Sequence, residues 1–176
     1  MTIENSIFDE MNITPFEEAQ GFLQTGDILL CSGDSAFSQL IQHGTNSPFS
    51  HTGLILPLAI TGQWLVLESV ESQGVRCTCL DEGYLQNYSG TDAPYDGKLL
   101  IARHNEMTDK QSRWPELYRH AFSLTGSRYS EGDILRIAKR IAAGDVGIDI
   151  DGRVLPGERF ICSEFVYSCY KAIGID

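Results

Sequence analysis

The 176-residue sequence is 42% hydrophobic and carries a formal net charge of −11. This length and apolar content predict a single globular domain over 1–176, and no run approaches the roughly 18 apolar residues of a membrane span, so we expect no transmembrane segment. The acidic charge disfavours a broad cationic face for phosphates, and we expect no nucleic-acid partner.

The first predicted elements are a helix, a buried strand and a second helix. The segment "NITPFEEAQGFL" has Thr14 in an N-cap position, a proline in the first turn and a glutamate three residues after the cap. "GDILLCSG" is short, apolar and bounded by glycines, which is typical of a buried strand. "DSAFSQLIQHG" has its apolar residues on one face and predicts a helix capped by Asp34 or Ser35.

A strand-rich middle follows, and helices come after it. Four runs separated by Gly, Pro, Asn or Asp predict strands, namely "SHTGLILP", "QWLVLESV", "GVRCTCL" and "GKLLIARH". Helical stretches are expected near 112–124 and 131–143. Strands in the middle with helices on both sides predict an α+β fold with a mainly antiparallel sheet.

The segment "RFICSEFVYSCY" near the C-terminus contains two of the five cysteines. Its apolar spacing predicts a helix that begins at about Cys162. The positive end of a helix dipole lowers the pKa of a thiol, so Cys162 is a candidate nucleophile. Cys169 follows two turns later on the packed face, where a thiol is inert. The alternative is that both cysteines are small apolar residues in a buried helix.

The cysteines also indicate a compartment. Their number is odd and their spacings are unlike a secreted disulfide framework, and the first residues lack the basic and apolar regions of a signal peptide. We therefore expect reduced thiols and a cytoplasmic location.

Two segments have some of the features of metal sites. "RCTCL" places Cys77 and Cys79 on one face of a strand, but no further cysteine pair or Cys/His cluster completes a zinc site, so we expect both to pack. "GIDIDGRVLPGE" (147–158) has acidic residues at some calcium-loop positions, but a hairpin with a turn at Asp151 and Gly152 explains them equally well. We expect no metal and no cofactor.

A cysteine nucleophile needs a base, and one of the four histidines is placed differently from the others. His43 ends a predicted helix, where it would serve as a cap, and His104 and His120 are expected at the surface. His51 begins the strand "HTGLIL" directly after a turn. It is therefore the candidate base.

Glu68 lies on the next predicted strand. If the two strands form a hairpin in which Pro57 pairs with Gly62, His51 lies opposite Glu68, and directly opposed residues on one face have Cβ atoms about 4.5–5.5 Å apart. A carboxylate there would fix the tautomer of the imidazole and leave its other nitrogen for a thiol. The alternative is a surface carboxylate on a half-exposed strand, and a register slip of one residue would separate the pair.

The ordered set "TGDILL", "SHTGLIL", "LVLESV", "GSRYS" and "FICSEFVYSCY" resembles the circularly permuted papain-like cysteine hydrolases of the NlpC-type superfamily, in the YiiX/YaeF-like branch. Lecithin:retinol acyltransferase is a more distant relative. The resemblance covers about 25–173 and implies a permuted papain-like α+β fold, in which an antiparallel sheet or barrel packs against helices. In this family the histidine strand precedes the cysteine helix.

The resemblance assigns roles to individual residues. The Ser-His motif of the family falls on Ser50 and His51, the acidic third member on Glu68, and the start of the cysteine helix on "CSE" from Cys162. Its Gly-Asp pair falls on "GD" at 26–27, which we expect to be structural. Its Gly-x-x-Tyr-Asp segment falls on "GSRYS", where Ser130 replaces the common aspartate.

The activity implied is a thiol hydrolase, peptidase-like or amidase-like, that cleaves amide or ester bonds. Cys162 would attack a carbonyl, His51 would transfer the proton, and Glu68 would orient the imidazole. The backbone N–H of Cys162 and a second donor would bind the oxyanion. Two alternatives are a catalytically idle ligand-binding module and a lipid-directed acyltransferase or thioesterase. The partner is thus a small-molecule, peptide or lipid acyl substrate.

Overall fold

The computed structural model describes residue 8 and the ranges 14–130 and 159–176. Over these residues the chain forms four α-helices and seven strands, with several short 3₁₀ and π-helical turns between them. The helices are α1 (Phe16–Ala19), α2 (Ala36–Thr45), α3 (Trp114–Ser123) and α4 (Cys162–Ala172). The strands are β1 (Ile28–Gly33), β2 (His51–Leu58), β3 (Gln63–Val70), β4 (Gly74–Cys79), β5 (Gly97–Ala102), β6 (Arg128–Tyr129) and β7 (Arg159–Phe160).

Five strands form one antiparallel sheet in the order β4-β3-β2-β1-β5, and β6 and β7 form a separate parallel pair. The predicted strands and the mainly antiparallel sheet are therefore confirmed, and the fold is a mixed one with a five-stranded antiparallel sheet and several helices. Among the residues described, no helix is both long enough and apolar enough to cross a membrane.

The expected register of the β2–β3 hairpin is wrong by two residues. Pro57 pairs with Trp64 rather than with Gly62, because the loop comprises residues 59–62 and Leu58 closes the hairpin against Gln63. Gly62 has a φ of 74°, a left-handed conformation that glycine adopts without strain. A shift of two residues changes no side chain's face, because the strand repeat is also two.

Apolar side chains cover both faces of this sheet. On one face, residues of β2 and β3 such as Leu54 and Leu67 pack against α3 and α4, including Leu117 and Phe165. On the other, a second cluster that includes Leu29, Ile55 and Val66 packs against Tyr84. Each fully buried side chain of this kind contributes about 1.5–3 kcal/mol to folding. The sheet is thus a rigid central layer, and its strand ends can hold side chains in fixed positions.

The first helix begins later than expected. Pro15, not Thr14, occupies the N-cap position of α1, and no side chain caps it. The proline carbonyl accepts from the amides of Glu18 and Ala19 at 3.1 and 2.9 Å, so the turn closes on the backbone alone. The expected cap of α2 is confirmed, since Ser35 Oγ accepts from the Ser38 amide at 3.1 Å. The helix predicted near 131–143 and the hairpin at Asp151 lie outside the described residues.

The "GD" pair before β1 has the structural position expected for it. Gly26 has a φ of 84°, and a Cβ there would lie 2.5 Å from Met107 Cε. The Asp27 carboxylate is fully buried and accepts from Arg103 at 2.6 and 2.8 Å and from the Gln24 amide at 2.8 Å. These contacts join the start of the sheet to the segment that follows β5.

Candidate active site

His51 is the first residue of β2, and it contacts residues of both neighbouring strands, β1 and β3. In the β1–β2 register it lies opposite Cys31, and the preceding Ser50 donates its amide to the Cys31 carbonyl at 2.8 Å. The ring nitrogen Nε2 lies 2.5 Å from Oε2 of Glu68. The side chain of His51 remains 22% exposed, whereas that of Glu68 is fully buried. The predicted histidine and carboxylate are therefore in contact.

Gly53 makes this diagonal contact possible. The pairing of β2 with β3 ends at Leu54 and Leu67. If the same register is extended by one pair, Glu68 lies opposite Gly53 and not opposite His51. A Cβ on Gly53 would lie 2.6 Å from Val66 Cγ1 and 3.4 Å from Glu68 Cβ. Because position 53 has no side chain, Glu68 can reach along the sheet to the imidazole.

Three side chains share the Glu68 carboxylate. Arg76 donates to Oε1 through Nε at 2.9 Å and through a terminal nitrogen at 2.8 Å. His51 and the hydroxyl of Tyr84 both bind Oε2. Burial by itself would raise the pKa of Glu68, but the hydrogen bond and charge of His51, with Tyr84 and Arg76, lower it. The carboxylate is thus ionised and its orientation is fixed.

Cys162 is the first residue of α4, as the sequence predicts. The side chain of Glu164 accepts from the N-cap amide of Ile161 at 3.1 Å, so the helix start is capped. The His51 ring and the backbone amides of Thr52 and Ser163 lie near Cys162 Sγ and lower the pKa of its thiol. Since Nε2 of His51 binds Glu68, its Nδ1 is the nitrogen left for Cys162.

The pKa values of this pair move in opposite directions. Burial disfavours the Cys162 thiolate, but the hydrogen bond and charge of His51 and the two backbone amides outweigh it and lower the pKa of the thiol. Burial likewise disfavours the imidazolium, but hydrogen bonds to Cys162 and Glu68 raise the pKa of His51 to about 10. Both shifts favour a thiolate–imidazolium pair at neutral pH.

The Thr52 amide can face Cys162 because the pairing between β2 and β3 ends before Thr52. The pairing between β2 and β3 is recorded only as far as Leu54 with Leu67, two residues short of Thr52. Its backbone N–H can therefore turn to the thiol at the start of α4. The end of the sheet and the start of the helix together supply the polar contacts of the cysteine.

A cleft of about 370 Å³ opens beside His51. Among the described residues, its lining has no lysine or arginine and contains three carboxylates and three tyrosines: Asp34, Glu71, Asp96, Tyr88, Tyr95 and Tyr129. A pocket of this size can hold a small ligand. The local charge thus has the same sign as the acidic net charge of the whole chain.

The other cysteines differ in how far their thiols are buried. Cys169 is fully buried in the core, and burial raises its pKa to about 12, which confirms the packed position expected for it. The packing expected for Cys77 is wrong, because β4 is an edge strand and the thiol is exposed. Cys79 is half-buried against the core. All five cysteines lie within the described residues, and none is in a disulfide.

The remaining histidines lie away from the pair formed by Cys162 and His51. His43 is exposed in the last turn of α2, as a helix cap would be. His104 is half-buried and packs edge-on against Tyr170 at 5.7 Å. His120 is half-buried as well, 3.4 Å from Ser168 Oγ, so neither His104 nor His120 is the surface residue expected. Burial lowers the pKa of His120.

Sequence reasoning missed the residues that hold Glu68. Arg76 pairs directly with Glu68 in the β3–β4 register, and the "ESQG" turn between these strands could have indicated that pairing. Tyr84 comes from the π-helical turn Asp81–Gln86, which has no recognisable sequence signal. The amide of Thr52 could not be found from side-chain identity, because a backbone group makes the contact.

The comparisons with known proteins support the fold only. No protein-family model matches the chain, and no curated protein matches it in sequence. A crystal structure described as the metalloprotein YiiX from Escherichia coli O157:H7 is similar, with a TM-score of 0.56 and 22% identity over 86% of this chain and 66% of that one. The chain thus spans slightly less than two thirds of that protein. In the described part of this chain, no group of three or more His, Cys, Asp or Glu side chains could hold a metal ion. The architecture is YiiX-like.

Proposed function

We propose that the chain is a thiol hydrolase that cleaves an amide or ester bond through an acyl intermediate on Cys162. The observation that carries this proposal is the placement of His51 between Glu68, which its Nε2 contacts, and Cys162, whose pKa it lowers. A nucleophile, a base and a group that orients the base are the three parts that covalent acyl transfer requires. We further propose that the fold is a permuted papain-like one, with the histidine strand before the cysteine helix.

In the first step, the Cys162 thiolate attacks the carbonyl carbon and a new C–S bond forms. The oxyanion accepts from the backbone N–H of Cys162 at the start of α4, where the helix dipole is also favourable. As the intermediate collapses, the C–N or C–O bond breaks and Nδ1 of His51 gives its proton to the leaving group. The product of this step is a thioester on Cys162.

In the second step, a water molecule releases the acyl group. His51, now neutral, takes a proton from the water as it attacks the thioester, and the C–S bond then breaks to restore the thiolate–imidazolium pair. Glu68 stays ionised throughout, because Arg76 and Tyr84 occupy the carboxylate oxygens together with His51. If an alcohol or amine replaces the water, the same chemistry is an acyl transfer.

The experiment is to trap the acyl-enzyme. Wild-type protein is mixed with p-nitrophenyl acetate, quenched in acid and measured by intact-protein mass spectrometry. The proposal predicts one added acetyl group on Cys162 and release of nitrophenol. Cys162→Ser should show neither, whereas Cys169→Ser, the same change in the same helix, should behave as wild type. Full labelling of the Cys162→Ser variant, or no labelling of wild type, would favour an idle binding module.

We also propose that the chain works in a reducing compartment such as the cytoplasm. Cys162 is partly exposed and Cys77 is exposed, so an oxidising environment would expose both to modification. Titration of wild type with a thiol reagent after isolation without reductant should find both thiols free. Recovery with either one in a disulfide would contradict the proposal.

A further inference from the structure

A second cavity lies beside the start of α4, and it shares no lining residue with the cleft that contains His51. Its volume is about 350 Å³, and it is bounded by β1, the start of β2 and α4. Its lining includes Thr52 and Ser163, and the backbone amides of these two residues lower the pKa of the Cys162 thiol. Two residues that adjoin Cys162 therefore line the cavity, although Cys162 itself is not in its lining.

The wall of this cavity is mainly apolar. Its lining contains four aliphatic side chains, Ile28, Leu30, Val166 and Ile175, and two tyrosines, together with Thr52, Ser163, His104 and Asp176. The cavity lies on the sheet face that α4 covers, because Thr52 and Leu30 pair across β1 and β2 on that face. An alkyl group bound there would leave water for an apolar surface, which is favourable in proportion to the area buried.

The polar groups of this wall are largely occupied. The hydroxyl of Tyr170 donates to the Gly26 carbonyl at 2.6 Å, and that of Tyr167 donates to Asp176 at 2.8 Å. Thr52 also lines the cavity, and its buried hydroxyl oxygen has no hydrogen-bond partner in the described part of the chain. One free hydroxyl near the thiol and apolar walls beyond it match a carbonyl followed by an alkyl chain.

The position of His51 decides which part of a substrate enters each cavity. His51 gives its proton to the leaving group, so the leaving group must lie within hydrogen-bond reach of the imidazole. His51 lines the cleft with the three carboxylates and does not line the apolar cavity. The acyl part, bonded to Sγ, is then directed past Thr52 and Ser163.

We propose that this apolar cavity is the acyl subsite, and that the substrates are esters, thioesters or amides of aliphatic carboxylic acids. This inference rests on the proposed thiol hydrolase activity and narrows its substrate class. A polar or charged acyl group, such as the acyl part of an acidic peptide, would leave its polar atoms unpaired against Ile28 and Leu30.

The test is a series of p-nitrophenyl esters that differ only in acyl length: acetate, butyrate and hexanoate. For wild type we expect kcat/KM to rise about fourfold for each added methylene, because burying one contributes about 0.8 kcal/mol. Leu30→Trp fills the cavity from β1 and should abolish this rise. Ile101→Trp is the matched control, because Ile101 is an exposed residue of β5 on the opposite sheet face and should keep the wild-type series.

Each outcome separates the two proposals. Turnover that depends on Cys162 but does not rise with chain length overturns the acyl subsite and leaves the hydrolase standing. Equal slopes for Leu30→Trp and Ile101→Trp overturn the subsite as well. If no ester is turned over in a Cys162-dependent way, the hydrolase itself fails. If Leu30→Trp does not fold, Leu30→Ala replaces it, because it removes part of the same wall. Leu30→Ala should reduce the increase in kcat/KM for each added methylene. An unchanged increase contradicts the subsite.

Discussion

Nε2 of His51 lies 2.5 Å from Oε2 of Glu68, although the strand register places these residues diagonally rather than directly opposite each other. The position beside Glu68 belongs to Gly53, whose missing side chain leaves the carboxylate free to extend towards the ring. The contact therefore depends on a residue that has no functional group. It also commits Nε2 to the carboxylate and Nδ1 to the thiol of Cys162.

Gly53→Ala should disable the site. The new Cβ would lie 2.6 Å from Val66 Cγ1 and 3.4 Å from Glu68 Cβ, so either neighbour must move. We expect the rate of alkylation of Cys162 by iodoacetamide at pH 7 to fall by about 100-fold, as a displacement of about 1 Å in a catalytic group can cause. Gly21→Ala is the control, because nothing lies within 4 Å of a Cβ at that position. Equal rates in both variants would contradict the role of Gly53.

The pH dependence of alkylation should identify the thiolate. Because His51 and two backbone amides lower the pKa of Cys162, its thiolate persists below the range in which an ordinary cysteine is protonated. Labelling of Cys162 should therefore stay fast well below pH 8.5. Labelling of Cys77, whose pKa is raised by partial desolvation of its sulfur, should slow steeply as the pH falls. Peptide mass spectrometry after timed labelling gives both rates in one sample.

His51→Ala should shift the alkylation of Cys162 to higher pH. With the imidazolium gone, burial remains the largest influence and raises the pKa of Cys162, so the thiolate is lost at neutral pH. Alkylation of Cys162 in this variant should increase only as the pH rises above the ordinary cysteine range. An unchanged pH profile would mean that His51 does not control the thiol.

Tyr84→Phe should lower both stability and esterase activity, because it removes one of the hydrogen bonds that fix the Glu68 carboxylate. The hydroxyl donates to Oε2 in a buried position, and a hydrogen bond to a charged group is worth about 1.5–3 kcal/mol. Chemical denaturation should show a loss of this size, and esterase kcat should fall up to about tenfold as the imidazole becomes less well oriented. Tyr118→Phe removes a hydroxyl that donates to Pro57, away from the site, and should leave kcat unchanged.

Arg103→Met should reduce stability without affecting Cys162. The variant leaves the fully buried carboxylate of Asp27 without its guanidinium, and breaking a buried ion pair costs about 3 kcal/mol or more. The exposed pair formed by Arg113 and Glu116 provides the comparison, because Arg113→Met should cost about 1 kcal/mol or less. Similar denaturation midpoints for the two variants would contradict the structural role of the "GD" pair.

Much of this fold could be predicted because its signals are local. Glycine-bounded apolar runs identified the strands, and the spacing after Cys162 identified the start of α4. His51 and Glu68 were brought together by a wrong register, and the prediction succeeded because an error of two residues keeps both on one face. A shift of one residue would have lost the pair.

The rest of the site depends on contacts that are distant in sequence. Tyr84 reaches Glu68 from an irregular turn, and the Thr52 amide turns to Cys162 only because two strands part there. Neither contact has a periodic pattern that the sequence could display. The exposure of Cys77 follows from the edge position of β4, and strand order is a property of the whole sheet.

The charge state of His51 tests the account most directly. In wild-type protein, ¹⁵N NMR of the His51 ring should show an imidazolium at pH 7 that loses its proton only near pH 10, because Cys162 and Glu68 raise its pKa from 6.5 to about 10. In Cys162→Ala the midpoint should fall, since one of the two partners that stabilise the charge is gone. A His51 that titrates near pH 6.5 in both proteins would contradict the thiolate–imidazolium pair.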